Sequence, residues 1–165
     1  ALIILSNNPT FSELLKSPVM LLAFGFGSGL SPKAPGTVGS LFGLVLWVFL
    51  AKLSLPFYLG FVTVSTLVGI YICGAAADRL GVHDHGGIVW DEFVGLWIAM
   101  AALPVSWLSI TLGFGLFRLF DIFKPWPIRW MDKNISGGLG IMIDDIAAGV
   151  ATAGSIGLID LLGWI

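Results

Sequence analysis

"HDHGGIVWDEFVGLWIAMAAL", residues 83–103, opens as a polar loop and closes as an apolar run of membrane grade, with Asp91 and Glu92 inside its apolar part. Its reading decides the fold, because a membrane-crossing helix here puts the polar segments on either side of the crossings onto one face. Composition favours the membrane. Of 165 residues 57% are hydrophobic and 11% charged, and mean hydropathy is +0.98, whereas about a quarter of an ordinary soluble domain is charged. The length suits one integral-membrane domain, residues 1–165, with its chemistry built from the ends of the spans. The net charge of −2 says little about partners; no nucleic-acid partner is expected and no obligate protein partner is evident. The first apolar stretch lacks a basic leader and a small-residue cleavage site, so no cleavable signal is expected. The single Cys73 excludes an intrachain disulfide and reads as a small buried apolar side chain.

A spanning helix needs about 20 mainly apolar residues. Working outward from residues 83–103, five runs qualify as candidates: roughly 38–54, 57–77, 88–104, 106–123 and 141–163. None alternates as a strand does, and a helix satisfies its own backbone in lipid, so the expected fold is all-α, a polytopic bundle of about five spans. Pro56, the polar stretch 78–87, Pro104 and the segment 124–140 separate the runs. Ahead of them, "PTFSELLK" has capping-box spacing, Thr10 to Glu13, and predicts a short interfacial helix. In "SPVMLLAFGFG", Ser17 is the N-cap and Pro18 the first helical residue of a segment too short to cross, which is expected to lie in or dip into one leaflet.

Five crossings place three polar segments on one face: the loop "GSGLSPKAPGTVGS", residues 78–87 with the acidic start of the third span, and the block 118–145. Lys33, Arg79, Arg118, Lys124, Arg129 and Lys133 lie on that face and only Lys52 near the other, so the shared face is cytoplasmic by the positive-inside rule. Two fragments echo one another, "GGIVWDE" and "GGLGIMIDD". Each suggests a glycine turn followed by a helix whose first turn carries carboxylates.

Acids at a helix start gain roughly 0.3–1 kcal/mol from the macrodipole. A carboxylate in an apolar segment costs roughly 2.5–3.5 kcal/mol toward the membrane centre, so the pair Asp91 and Glu92, and the pair Asp144 and Asp145, call for a function. Asp121 sits at a helix end, where the dipole disfavours it; Arg118, Asp121 and Lys124, spaced i, i+3, i+6, share one edge. Carboxylates from three segments suit a hard divalent cation, for which Mg²⁺ with substrate phosphate oxygens is the natural choice. His83 and His85 read as solvated or supporting residues. The loop "GFGSGLSPKAPGTVGS" offers glycines, hydroxyls at Ser28, Ser31, Thr37 and Ser40, and Lys33 before a helix start, which is equipment for an anion. Lys124 and Arg129 stand among Trp126 and Trp130, as residues of an interfacial belt do.

In this order, "GFGSGLSPKAPGTVGS", "HDHGGIVWDEFVG", "FRLFDIFKPWPIRW" and "GGLGIMIDDIAAG" resemble the bacterial phosphatidylglycerophosphatase A family over about residues 24–149. The resemblance implies a magnesium-dependent inner-membrane phosphatase. Its substrate would be phosphatidylglycerophosphate in the cytoplasmic leaflet, cleaved to phosphatidylglycerol and phosphate. Carried over, Asp91, Glu92, Arg118, Asp121, Lys124, Asp144 and Asp145 would form the catalytic site, with Mg²⁺ on Asp91, Asp121 and Asp144 or Asp145. Lys33, Thr37, Ser31 and Arg129 would face the substrate. The expected chemistry is metal-assisted hydrolysis with Glu92 as candidate base and Lys33, Arg118 and Lys124 offsetting phosphate charge; a covalent phospho-aspartate is the competing route. A small ion-coupled transporter or channel is the alternative, because intramembrane acids also mark ion pathways.

Overall fold

The computed structural model describes residues 8–165, and these contain helices and no strand. The first apolar stretch, on which the absence of a cleavable signal was read, lies outside the described residues. The helices are α1 (Phe11–Leu14), α2 (Pro18–Ala23), α3 (Pro35–Leu50), α4 (Leu55–Leu80), α5 (Trp90–Ala99), α6 (Trp107–Phe123), α7 (Ile128–Asn134) and α8 (Gly137–Leu161), with a 3-10 segment at Gly25–Leu30. Local chemistry sets several of these limits. The expected capping box at Thr10 and Glu13 is formed, with the Thr10 amide donating to Glu13 Oε2 at 2.6 Å. Ser17 Oγ accepts from the Met20 amide at the head of α2, with Pro18 at its first position. Lys124 adopts the left-handed conformation just past α6 and Pro125 prevents continuation. The segment 124–140, expected as a plain separator, contains α7.

Two of the five candidate runs, now α4 and α8, form helices long and apolar enough to cross a membrane by length and composition. The run 88–104 departs most from expectation. Its helix α5 has ten residues, so it is about 15 Å long, half of a hydrocarbon core. It is also the most enclosed helix, packed against α3, α4, α6 and α8, with Phe93, Val94, Leu96 and Trp97 buried.

The start of α5 is recessed. A Cβ on Gly69 would meet Trp90 Cδ1 at 2.9 Å, and Gly69 lies eleven residues before the end of α4, about 16 Å along its axis. At the other end Tyr58, near the start of α4, donates its hydroxyl hydrogen bond to the Trp97 carbonyl. Residues 83–89 therefore descend into the bundle as irregular backbone. Protein covers that descent: the Val89 amide donates to Ala23 O at 2.8 Å, and Gly87 packs on Phe24 and Gly29. Irregular backbone at depth is tolerated where other parts of the protein shield it.

Close backbone approach sets the partner helix. A Cβ on Gly95 would meet the Asp145 carbonyl oxygen at 2.6 Å, and one on Gly149 would collide with the Gly95 carbonyl. Glycines at these crossings let α5 and α8 pack backbone to backbone, as small residues do between membrane helices. Asp91 precedes Gly95, and Asp145 precedes Gly149, by four residues, so each acid lies on the glycine face of its helix.

Candidate active site

Four elements bring polar side chains together: the head of α3, the head of α5, the last turns of α6 and the first half of α8. Asp91 and Glu92 occupy the first turn of α5, as the glycine-turn reading expects. Asp144 and Asp145 do not, because α8 begins at Gly137 and they follow seven and eight residues later, about 10–12 Å along the axis. The echo between "GGIVWDE" and "GGLGIMIDD" is thus a likeness of sequence with a different helix register. The cause is Gly137, which already holds the first helical position; its amide donates to His83 Nε2 at 3.2 Å.

Arg118 organises one half of the site. It pairs with Asp121 on its own helix, and its Nη1 lies 3.5 Å from Glu92 Oε2. It also donates to Thr37 Oγ1 at 3.3 Å and to Ser40 Oγ at 3.4 Å. Ser40 in turn donates to Glu92 Oε2 at 2.7 Å, and Gly36 leaves room for that carboxylate, since a Cβ there would lie 2.6 Å from Glu92 Oε1. The guanidinium so placed offsets the unfavourable position of Asp121 at a helix C-terminus.

Lys124 organises the other half. Its Nζ bonds Asp144 Oδ2 at 2.7 Å and Asp132 Oδ1 at 3.0 Å. Burial works against its charge, but the hydrogen bonds and charges of Asp144 and Asp132 outweigh burial and hold its pKa above the ordinary lysine value. Spacing had suggested a continuous edge of Arg118, Asp121 and Lys124. The left-handed turn at Lys124 instead sends that side chain to α7 and α8.

Between the two halves, Asp121, Asp144 and Asp145 each offer one carboxylate oxygen within 4.8 Å of the others. Asp91 stands against Asp145. Asp145 is 3% exposed, and its Oδ1 is buried with no hydrogen-bond partner among the described residues. An orphaned buried carboxylate oxygen is costly. With Asp91, Glu92 and Asp132 added to Asp121, Asp144 and Asp145, the carboxylates outnumber Arg118 and Lys124, and their excess charge repels phosphate. A hard divalent cation would relieve both costs, and an all-oxygen donor set is of the kind that Mg²⁺ takes.

Other expected residues lie further out. Lys33 is exposed and Ser31 Oγ donates to the Lys33 carbonyl at 2.8 Å; among the described residues neither bonds to the carboxylates. Arg129 is exposed on α7 and donates to the Phe123 carbonyl at 3.1 Å. His85 Nδ1 accepts from the Gly87 amide at 2.9 Å, so both histidines shape backbone. Cys73 is fully buried against Met142, its Sγ 3.8 Å from the thioether. Two contributors escaped the sequence reading. Ser40 was noted only as a loop hydroxyl, and Asp132 not at all; the i+8 spacing from Lys124 across two prolines carried no helical signal for it. A separate, mainly apolar cavity of about 420 Å³ at the opposite end holds Asp160 and none of these residues.

Acids able to hold a hard cation, beside cations able to hold an anion, define an all-helical enzyme that works on phosphate esters. The profile of the phosphatidylglycerophosphatase A family matches residues 21–160. Phosphatidylglycerophosphatase A of Escherichia coli K12 is 52% identical over 141 residues, covering 85% of this chain and 82% of that protein. The Haemophilus influenzae protein of the same name is 51% identical over 146 residues, covering 87% and 90%. A Bacteroides thetaiotaomicron relative, provisionally named a phosphatidylinositol-3-phosphatase, is 41% identical over 155 residues, covering 88% and 94%. No solved structure matches the chain. The chain belongs to the phosphatidylglycerophosphatase A family and is a phosphoric monoester hydrolase. The transporter alternative finds no support among these relatives.

Proposed function

We propose that this protein is a Mg²⁺-dependent phosphatase of the bacterial inner membrane that cleaves the terminal phosphate of phosphatidylglycerophosphate at the cytoplasmic face. The observation that carries the reading is the Asp121, Asp144, Asp145 cluster with its orphaned oxygen, in a chain half identical to two enzymes named for that reaction. A five-crossing topology is supported by the shared end of α3, α5, α6 and α8. A membrane setting is supported by outward apolar side chains along α3, α4 and α8, such as Phe49, Val64, Leu67 and Val150, each more than half exposed.

Asp121, Asp144 and Asp145 would hold the cation, with Asp91 adjoining. When bound, Mg²⁺ supplies Lewis-acid polarisation of the phosphoryl group and activation of water. Arg118 and Lys124 take the phosphate oxygens, a role for which they must exchange part of their present pairing with Asp121 and Asp144. Ser40 and Arg118 fix Glu92, so its first task is to position the guanidinium. Asp91, which has no cationic partner among the described residues, is the better-placed proton acceptor for the attacking water.

Phosphate release from phosphatidylglycerophosphate in detergent tests the reading. Mg²⁺ should support turnover, EDTA should abolish it, and Asp91→Asn, Asp121→Asn and Asp145→Asn should each remove most of it. Full activity in all three folded variants would sink the site. Direct entry of oxygen-18 from water into phosphate, with no trapped phosphoenzyme, distinguishes hydrolysis from a phospho-aspartate route.

A further inference from the structure

Beside the carboxylate cluster, the turn that follows α6 and helix α7 line a hollow of opposite charge. We propose that it is a subsite for the phosphodiester of the substrate's own headgroup, so that a lipid carrying two phosphates is gripped at both; this rests on the phosphatase reading above. The hollow measures about 350 Å³ and is lined by Lys124, Trp126, Arg129, Trp130, Lys133 and Asn134, with no acid in its wall. A volume in this range suits a small headgroup.

Lys124 belongs both to the carboxylate cluster and to the basic hollow, since its Nζ bonds Asp144 while the residue lines the hollow. A phosphate in each would therefore straddle one lysine, as the two phosphates of phosphatidylglycerophosphate straddle one glycerol. Arg129 spends one amino group on the Phe123 carbonyl and keeps the rest of its fork for an anion. Lys133 has no acid partner among the described residues. Guanidinium and ammonium donors both suit phosphate oxygens. Trp126 and Trp130 are 83% and 55% exposed, and tryptophans of this kind mark the depth of lipid headgroups. The arrangement divides the work: the acidic cluster takes the phosphate that leaves, and the basic hollow takes the one that stays with the lipid.

The test uses the full chain in neutral detergent with Mg²⁺, comparing wild type with Lys133→Gln and with the double variant Arg129→Gln, Lys133→Gln. The subsite predicts a KM for phosphatidylglycerophosphate raised roughly tenfold in the double variant, kcat held within about twofold, and an unchanged inhibition constant for inorganic phosphate. Lys133 is exposed and its side chain makes no hydrogen bond or ion pair among the described residues, so a smaller rise in KM for its single variant keeps the test valid if loss of the Arg129 contact disturbs folding. An unchanged KM in both variants would overturn the proposal. So would a phosphate inhibition constant that rises in step with KM, because the cations would then serve the reacting phosphate. Wild-type protein that releases no phosphate from this lipid would overturn the phosphatase reading and the subsite together, without reference to any variant.

Discussion

Ser40 shows how much one hydroxyl can organise. Fully buried, it donates to Glu92 and receives Arg118, so Ser40→Ala removes one hydrogen bond from a carboxylate and one from a guanidinium at once. Groups that orient a metal site typically matter by 10–100-fold; kcat/KM for Ser40→Ala should fall by about that factor while Mg²⁺ still supports the residual activity. Asp145 offers a test independent of turnover. If its orphaned oxygen belongs to the cation set, Mg²⁺ at a hundredfold excess over Kd should stabilise the wild type by about 2.7 kcal/mol, visible as a raised Tm, and should stabilise Asp145→Asn far less. Lys124 carries the pH prediction. Its raised pKa means that the charge is fully present below the ordinary lysine value of 10.5 and is lost only as pH climbs through a still higher one. Lysine deprotonation therefore does not set an alkaline limb below pH 10.5, and Lys124→Arg should reproduce the wild-type limb in shape, whatever its absolute rate. A limb shifted upward in the arginine variant would show that Lys124 titrates after all.

At the scale of elements, the α5 and α8 crossing holds the site together. Gly95 and Gly149 put two helix backbones in contact and, four residues earlier on each face, bring Asp91 against Asp145. Gly95→Ala forces the helices apart or strains them, an overpacking cost of roughly 1–3 kcal/mol, and should lower Tm and activity together because the carboxylates separate. Among the described residues, nothing lies within 4 Å of a Cβ added to Gly115 on α6. Gly115→Ala should be neutral or stabilising, by up to about 1 kcal/mol from helix propensity. Thermal unfolding of the two variants in detergent separates crossing from composition; equal effects would refute the special standing of Gly95.

For the whole molecule, the consequence is a recessed candidate site. With α5 only ten residues long, the loop 83–89 lowers the acids into the bundle, and in the proposed topology it would do part of the crossing. Cysteine labelling in a Cys73→Ala background can test the proposed topology, since Cys73 is the sequence's one cysteine and is buried. Single cysteines at Lys52 and Ser106 should react from the periplasmic side of intact cells, and cysteines at Asp84 and Asn134 only after permeabilisation. Reactivity of Ser106→Cys and Asn134→Cys from the same side would refute an α6 crossing.

Sequence alone determined the class of structure and the residue types of the site. Apolar runs without alternation left helices as the economical way to satisfy backbone groups, and charges too costly to be incidental pointed to Asp91, Glu92, Arg118, Asp121, Lys124, Asp144 and Asp145. Hydropathy could not measure α5, because the apolar residues of 88–100 are mostly buried by α3, α4, α6 and α8 and need not span anything themselves. Nor could spacing assign partners. That Glu92 goes to Ser40 and Arg118, that Lys124 turns away from Asp121 toward Asp132 and Asp144, and that Asp145 keeps an unpaired oxygen were decided by tertiary structure alone. The physical reason is that these contacts depend on a left-handed turn and on two glycines that set the distance between helices, and neither leaves a periodic trace in the chain.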